Sequence, residues 1–332
     1  MKAFFIERYG KRNGAMGEVP EPVVGEHDVL VRIHAASVNP LDSKIRAGEF
    51  KLILPYALPL VLGNDLAGVV VGIGSAVTRF KAGDEVYARP PDGRIGTFAE
   101  RIAVNEHALA LKPTNLDMLQ AASIPLIALT AWQALVETAQ VKPGQKVLIH
   151  AGSGGVGTLA IQLAKHLGAF VATTTSTANV EWVKALGADV VIDYTQQNFA
   201  DELQGFDVVL NSLGGDVLEQ SLNVLKPGGQ LISISGPPTA QFAQAQGLSW
   251  LLRQVMRLLS SGIRRKARKR GVGYTFLFMR ADGAQLQAIT ALIEAGSIKP
   301  VIDRCFPFES TAEALTYVEQ GRSKGKVCIR IH

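Results

Sequence analysis

The chain has 332 residues, 47% of them hydrophobic and 19% charged, which excludes fibrous and disordered classes and makes two globular domains the default. Its formal charge of +5 is local: Arg264, Arg265, Lys266, Arg268, Lys269 and Arg270 supply six positive charges with no acid among them, so the rest of the chain stands at −1 and no nucleic-acid partner is expected. The two cysteines, Cys305 and Cys328, lie far apart in the sequence without zinc or disulfide-framework spacing, which favours a reducing, cytoplasmic setting.

Along the chain, the N-terminal apolar stretch is too short for a secretory signal core. The longest apolar run, 52–62, contains Pro55 and Pro59 and falls short of the ~20 residues that span a bilayer, so no membrane span is expected. In the first third, 29–33, 68–71 and 84–87 read as short strands between turns, a compact β-rich domain. From about Gln120 strands and helices alternate: strands at 146–150, 170–174, 190–193, 207–210 and 231–234, with helices at 158–167, 180–186 and 217–225 between them. Repeated strand–helix–strand units whose strands lack polar alternation imply a doubly wound parallel sheet covered on both faces, an α/β Rossmann domain.

Between the strand at 146–150 and the following helix lies HAGSGGVG, residues 150–157, which places Gly152, Gly154 and Gly157 in the G-x-G-x-x-G spacing. The first glycine permits the tight turn, the second the approach of a pyrophosphate, and the third close helix–strand packing. The run Gly152, Ser153, Gly154, Gly155, Val156 and Gly157 is therefore the expected cofactor cradle, with amide N–H groups at the helix start facing the anion. An acid that would bind the ribose diol of NAD is missing about 20 residues on. Thr173 to Thr177 and Asn179 occupy that region instead, which favours NADP(H), although strand propensity alone also accounts for a Thr/Ser run.

Farther on, Ser249 can cap an amphipathic helix carrying Leu251, Leu252, Val255, Leu258 and Leu259 on one face. The basic run at 264–270 reads first as a solvated turn beside a core-packed helix; a role at the cleft attracting phosphates, or contact with a partner or anionic lipid surface, are the alternatives. A strand at 274–279, a helix at 284–295 and a β-like tail to Ile331 complete the chain.

Taken together, the β-rich first third, the glycine loop and the tail resemble the medium-chain dehydrogenase/reductase superfamily. The segments VNPLDSKIRAG, 38–48, and LGNDLAG, 62–68, resemble its zinc-independent quinone oxidoreductase branch, which includes zeta-crystallin-like and alkenal/enone reductases. Asn39 stands where the zinc-dependent relatives have a first ligand Cys, and Asn64-Asp65 where they have His-Glu, so no metal is expected. The resemblance implies a GroES-like catalytic domain, 1–122 with 271–332, and a Rossmann NADP(H)-binding domain, 123–270. It implies hydride transfer to a quinone or α,β-unsaturated carbonyl, with Asn39 and Asp42 positioning and Lys44 and Tyr56 stabilising the acceptor oxygen or relaying a proton. It also points to Thr130, Ser176, Asn179, Tyr194, Ser212, Ser235, Gly236, Phe276, Phe278, Arg322, Lys324 and Lys326 around the cofactor, with the basic tail offering a partner for its adenosine phosphate. A homodimer joined near 274–279 is implied as well. Rival readings are an enoyl-thioester reductase and a weakly catalytic, NADPH-holding crystallin-like or stress protein.

Overall fold

The computed structural model describes all 332 residues, Met1–His332, in two compact units: Met1–Leu129 with Arg280–His332, and Thr130–Met279. The strands, in chain order, begin with β1 (Lys2–Ile6), β2 (Ala15–Glu18), β3 (Asp28–Val38), β4 (Leu60–Val61), β5 (Asp65–Ile73), β6 (Glu85–Ala88), β7 (Arg101–Asn105) and β8 (Leu109–Leu111). They continue with β9 (Lys146–Ile149), β10 (Phe170–Thr175), β11 (Val190–Asp193), β12 (Phe206–Asn211), β13 (Leu225–Ser233), β14 (Gly273–Phe276), β15 (Ile302–Pro307) and β16 (Lys326–Arg330).

In the first unit, β3 is the hub, pairing antiparallel with β5, β7 and β16. Its period-2 alternation serves two cores. Val29, Val31 and Ile33 pack with Val70, Val86 and Leu109, whereas Ala36 and Val38 pack with Phe4, Leu62, Phe98 and Val327. The chain leaves β3 directly into a helix, Pro40–Ala47, whose proline sits in the first turn where its missing N–H costs nothing.

The second unit is a six-stranded parallel sheet in the order β11-β10-β9-β12-β13-β14. Strand order reverses between β9 and β12, so the carboxyl ends of those two strands form the switch point at which open α/β sheets bind ligands. Val190–Asp193 forms the strand read from the sequence, whereas β13 begins six residues before the expected 231, because Leu225 already pairs with Phe206 across an irregular register.

Three features depart from the sequence reading. The strand near 274 is the sixth strand of the parallel sheet, paired with β13, so the second unit runs to Met279 and the boundary expected at 270/271 moves with it. Cys305 and Cys328, distant in sequence, are neighbours in register on the parallel pair β15 and β16. The helix Trp250–Leu259 is capped by Ser249 as expected, but its apolar face is turned outward and only Met256 is buried.

Candidate active site

The loop after β9 carries out the three glycine roles, with one redistribution. The left-handed residue is Ala151, at φ 54°, not a glycine. Gly152 is required for space instead, since a Cβ there would lie 2.3 Å from Thr173 Oγ1, and at Gly157 it would lie 2.2 Å from the Ala151 carbonyl oxygen. Gly154 differs: its added Cβ would meet only the Ala151 oxygen, at 3.3 Å, a tight contact that a shift of a few tenths of an ångström relieves, so internal packing alone does not require a glycine there. A ligand that must come close to the backbone does. The helix Gly155–His166 makes its first backbone bond from Thr158 to Gly154, 3.0 Å, which leaves the amides of Gly155, Val156 and Gly157 for an anion. Ser153 is half-buried in the same turn.

Around this loop, two buried polar atoms at strand ends have no partner: Thr175 Oγ1 on β10 and Asn211 Nδ2 on β12. Both lie at the switch-point side of the sheet, and neither was singled out from the sequence, because an orphaned donor shows only once burial is known. Ser212 follows Asn211 and donates to the His150 carbonyl at 3.4 Å. Ser176 and Asn179 form a chain, Asn179 Nδ2 donating to Ser176 Oγ at 3.0 Å and Trp182 Nε1 to Asn179 Oδ1 at 3.0 Å, and Tyr194 is an exposed ring beyond β11. Asp193, in register with Thr175, is an acid the sequence reading passed over. Its carboxylate accepts the Thr177 hydroxyl at 2.5 Å, which with the Thr195 contacts holds it below the usual carboxylate range. His150 is a core histidine on Thr174 and Ser221, and burial pushes it down to about 4, so it is neutral.

The remaining cofactor-side residues of this unit are placed as follows. Thr130 is buried on the helix Pro125–Trp132. Ser235 is exposed after β13, and the Gly236 amide donates to Ser233 Oγ at 2.8 Å. Phe276 and Phe278 pack on Phe242, with ring centroids 5.1 and 5.4 Å away, a structural aromatic cluster.

The first unit gathers a second set. Asp65 is fully buried, and its carboxylate accepts from Leu126 N at 2.7 Å, Ser37 Oγ at 2.8 Å, Asn39 Nδ2 at 2.8 Å and Lys326 Nζ at 3.3 Å. Lys326 also donates to Asn39 Oδ1 at 2.5 Å and to the Val38 carbonyl at 3.2 Å. Its three protons are thus used inside the unit, which corrects the expectation that it meets a cofactor phosphate. Arg322 and Lys324 are exposed on the loop before β16. Beside this network Asp42 accepts from Asn39 N and Asn64 Nδ2, both at 2.7 Å. Burial nevertheless raises its pKa to about 6.

Of the two expected proton donors, Lys44 points to solvent from the helix Pro40–Ala47 and shares no contact with this cluster. The Tyr56 hydroxyl is buried without a partner, and burial pushes its phenol well up, so it holds its proton at neutral pH. Its ring packs on the core around Phe4 and Leu62. A buried hydroxyl left unmet costs about 1–3 kcal/mol, which a ligand oxygen can offset.

Comparison with known proteins fits this geometry. Residues 25–114 match the family described as alcohol dehydrogenase GroES-like domain, and 186–329 the family described as zinc-binding dehydrogenase. The chain is 37% identical to an NADPH-dependent alkenal/one oxidoreductase, chloroplastic, of Arabidopsis thaliana, over 99% of this chain and 79% of that protein. It is 38% identical, with the same coverage, to a 2-methylene-furan-3-one reductase of Solanum lycopersicum. The solved quinone oxidoreductase from Coxiella burnetii superposes with a TM-score of 0.86 at 32% identity, covering 100% of this chain and 99% of that one. The zinc in the second family's description does not suit these residues: no three His, Cys, Asp or Glu side chains are grouped to hold an ion, and between Asn39 and Asp65 the chain places its own ammonium.

Proposed function

The chain belongs to the medium-chain dehydrogenase/reductase superfamily, in its zinc-independent quinone and alkenal oxidoreductase branch, and from that premise we propose that it transfers hydride from NADPH to a quinone or an α,β-unsaturated carbonyl. The observation that carries the reading is the Gly154 turn, where backbone is left bare beside three amides although an added Cβ would crowd a single atom, the Ala151 oxygen at 3.3 Å, and far less than at Gly152 or Gly157. When bound there, NADPH supplies two electrons as hydride to the acceptor's β-carbon or quinone ring.

The chain's own residues do the rest. The amides of Gly155, Val156 and Gly157 hold the diphosphate, and the Ser176 hydroxyl and its Asn179 amide partner are the neutral hydrogen-bonding groups offered to an adenosine phosphate. In the first unit, the Lys326–Asp65–Asn39 network fixes the start of the helix Pro40–Ala47, and with it Asp42. Tyr56 donates its hydrogen bond to the oxygen on which negative charge develops, and a proton from solvent completes the reduction. The chain forms a homodimer through β14, an edge strand of the parallel sheet whose outer side can pair with a second copy. Its two free thiols suit the cytoplasm, and no helix is long and apolar enough to cross a membrane.

The test is saturation kinetics with NADPH and NADH against free enones, quinones and enoyl-CoA thioesters. Turnover of enones or quinones with NADPH preferred is expected. Clear preference for thioesters would replace the substrate class, and tight NADPH binding without oxidation across the panel would leave a binding protein.

A further inference from the structure

The helix Trp250–Leu259 and its successor, Ser261–Lys269, are used by neither the cradle nor the polar cluster. On the first, Trp250, Leu251, Leu258 and Leu259 are 70%, 65%, 73% and 61% exposed, and Val255 joins them. Leu251, Val255, Leu258 and Leu259 stand at i, i+4, i+7 and i+8, so they form one stripe rather than scattered residues. Single exposed apolar residues need no explanation, but a continuous stripe does.

The second helix, with Arg257 from the first, supplies charge. Arg257, Arg264, Arg265 and Arg268, with Ser261, line one hollow of about 270 Å³. Lys266 turns away to Glu219 at 2.5 Å and Arg270 to Asn223, whereas none of the four arginines in the hollow has a carboxylate partner. No Asp or Glu occurs anywhere between Glu219 and Asp282. Four guanidinium groups facing one hollow repel each other until an anion enters it. Inward, the helix pair is anchored by Met256, Ile263 and Ala267, the last two in the core of the parallel-sheet unit, so the pair is a firm platform.

We propose that this helix pair docks the protein on an anionic phospholipid bilayer, the arginine hollow taking lipid phosphates while the Leu/Val stripe enters the headgroup–acyl boundary. An apolar face beside a basic one, with a tryptophan at the rim, is the pattern of helices that lie in a membrane interface. The same face of a second copy is a poor occupant, since it would add four more arginines and no carboxylate, as no Asp or Glu lies between Glu219 and Asp282. A nucleic acid would satisfy the arginines but leave the aliphatic stripe in water. The proposal is independent of the reaction assigned above, and its test does not read turnover.

The experiment is flotation of the full-length protein with vesicles of phosphatidylcholine alone or doped with phosphatidylserine, at low and high salt. Wild type is expected to float with the doped vesicles and to be released by salt. Arg264→Glu/Arg265→Glu and, separately, Leu251→Ser/Leu258→Ser should each weaken partition by about tenfold or more. These side chains are exposed or half-buried, and unchanged NADPH affinity reports that each variant is folded. Equal partition onto both vesicle types, or insensitivity to both variants, would overturn the proposal. So would binding of inorganic polyphosphate or RNA without vesicle binding, or a concentration-dependent oligomer abolished by Leu251→Ser/Leu258→Ser in place of flotation.

Discussion

Replacing Lys326 with Met keeps the length of the side chain and deletes the one positive charge between Asn39 and Asp65. Asp65 would then be a fully buried carboxylate with three neutral donors, and Asn39 Oδ1 and the Val38 carbonyl would each lose a proton donor. Removing one partner of a buried ion pair costs about 3–5 kcal/mol. The retained donors on Asp65 and the long 3.3 Å charge–charge contact place this case near the lower bound, about 3 kcal/mol. In a unit of this size that is a fall in Tm of about 10 °C, read by calorimetry or urea unfolding. A double-mutant cycle with Asp65→Asn should recover more than about 1 kcal/mol, because the second change removes the charge the first strands. NADPH affinity should stay within about twofold of wild type, since the ammonium is spent inside the first unit. A Lys326→Met protein as stable as wild type, or strictly additive singles, would refute the network as a structural device.

Three further outcomes are expected. Asp42, raised from 3.8 to about 6 in the folded chain, binds its proton more tightly when folded, so its share of stability is greatest at low pH and is lost as pH rises from about 4 to 6. Asp42→Asn should therefore gain up to about 3 kcal/mol over wild type above pH 6, with Asn64 turning its unpaired Oδ1 to the new amide; a pH-independent difference in urea unfolding would contradict this. Ala151→Gly relieves the left-handed strain of about 1–2 kcal/mol but adds freedom to the unfolded chain, for a net gain of up to about 1 kcal/mol; a lower Tm would count against the strain. Tyr56→Phe keeps the ring's packing and loses the hydroxyl, so kcat should drop at least about tenfold with NADPH binding unchanged, whereas an unaltered kcat would leave Tyr56 a core aromatic.

Local patterns were readable in the sequence because they depend on residues close in the chain. The glycine loop, the strand Val190–Asp193 and the Ser249 cap all belong to this class. Contacts closed over long separations were not readable. Lys326 meets Asn39 and Asp65 across 287 and 261 residues, so it looked like a tail charge. Cys305 and Cys328 become neighbours only through strand register. Amphipathicity located the helix Trp250–Leu259, but it cannot say whether an apolar stripe faces core or solvent, and here most of it faces solvent. Nor does G-x-G-x-x-G spacing reveal which residue takes the left-handed turn, which fell to Ala151.

The bare turn at Gly154 is most directly tested by calorimetric titration of NADPH into wild type and Gly154→Val, alongside thermal unfolding of both. A variant that stays folded with a Tm close to wild type and loses most of its affinity is the predicted result, since the added Cβ meets only the Ala151 carbonyl oxygen, at 3.3 Å, and stands where the diphosphate must lie. Undiminished NADPH affinity in a folded Gly154→Val protein, or wild type that binds neither nicotinamide nucleotide, would contradict it.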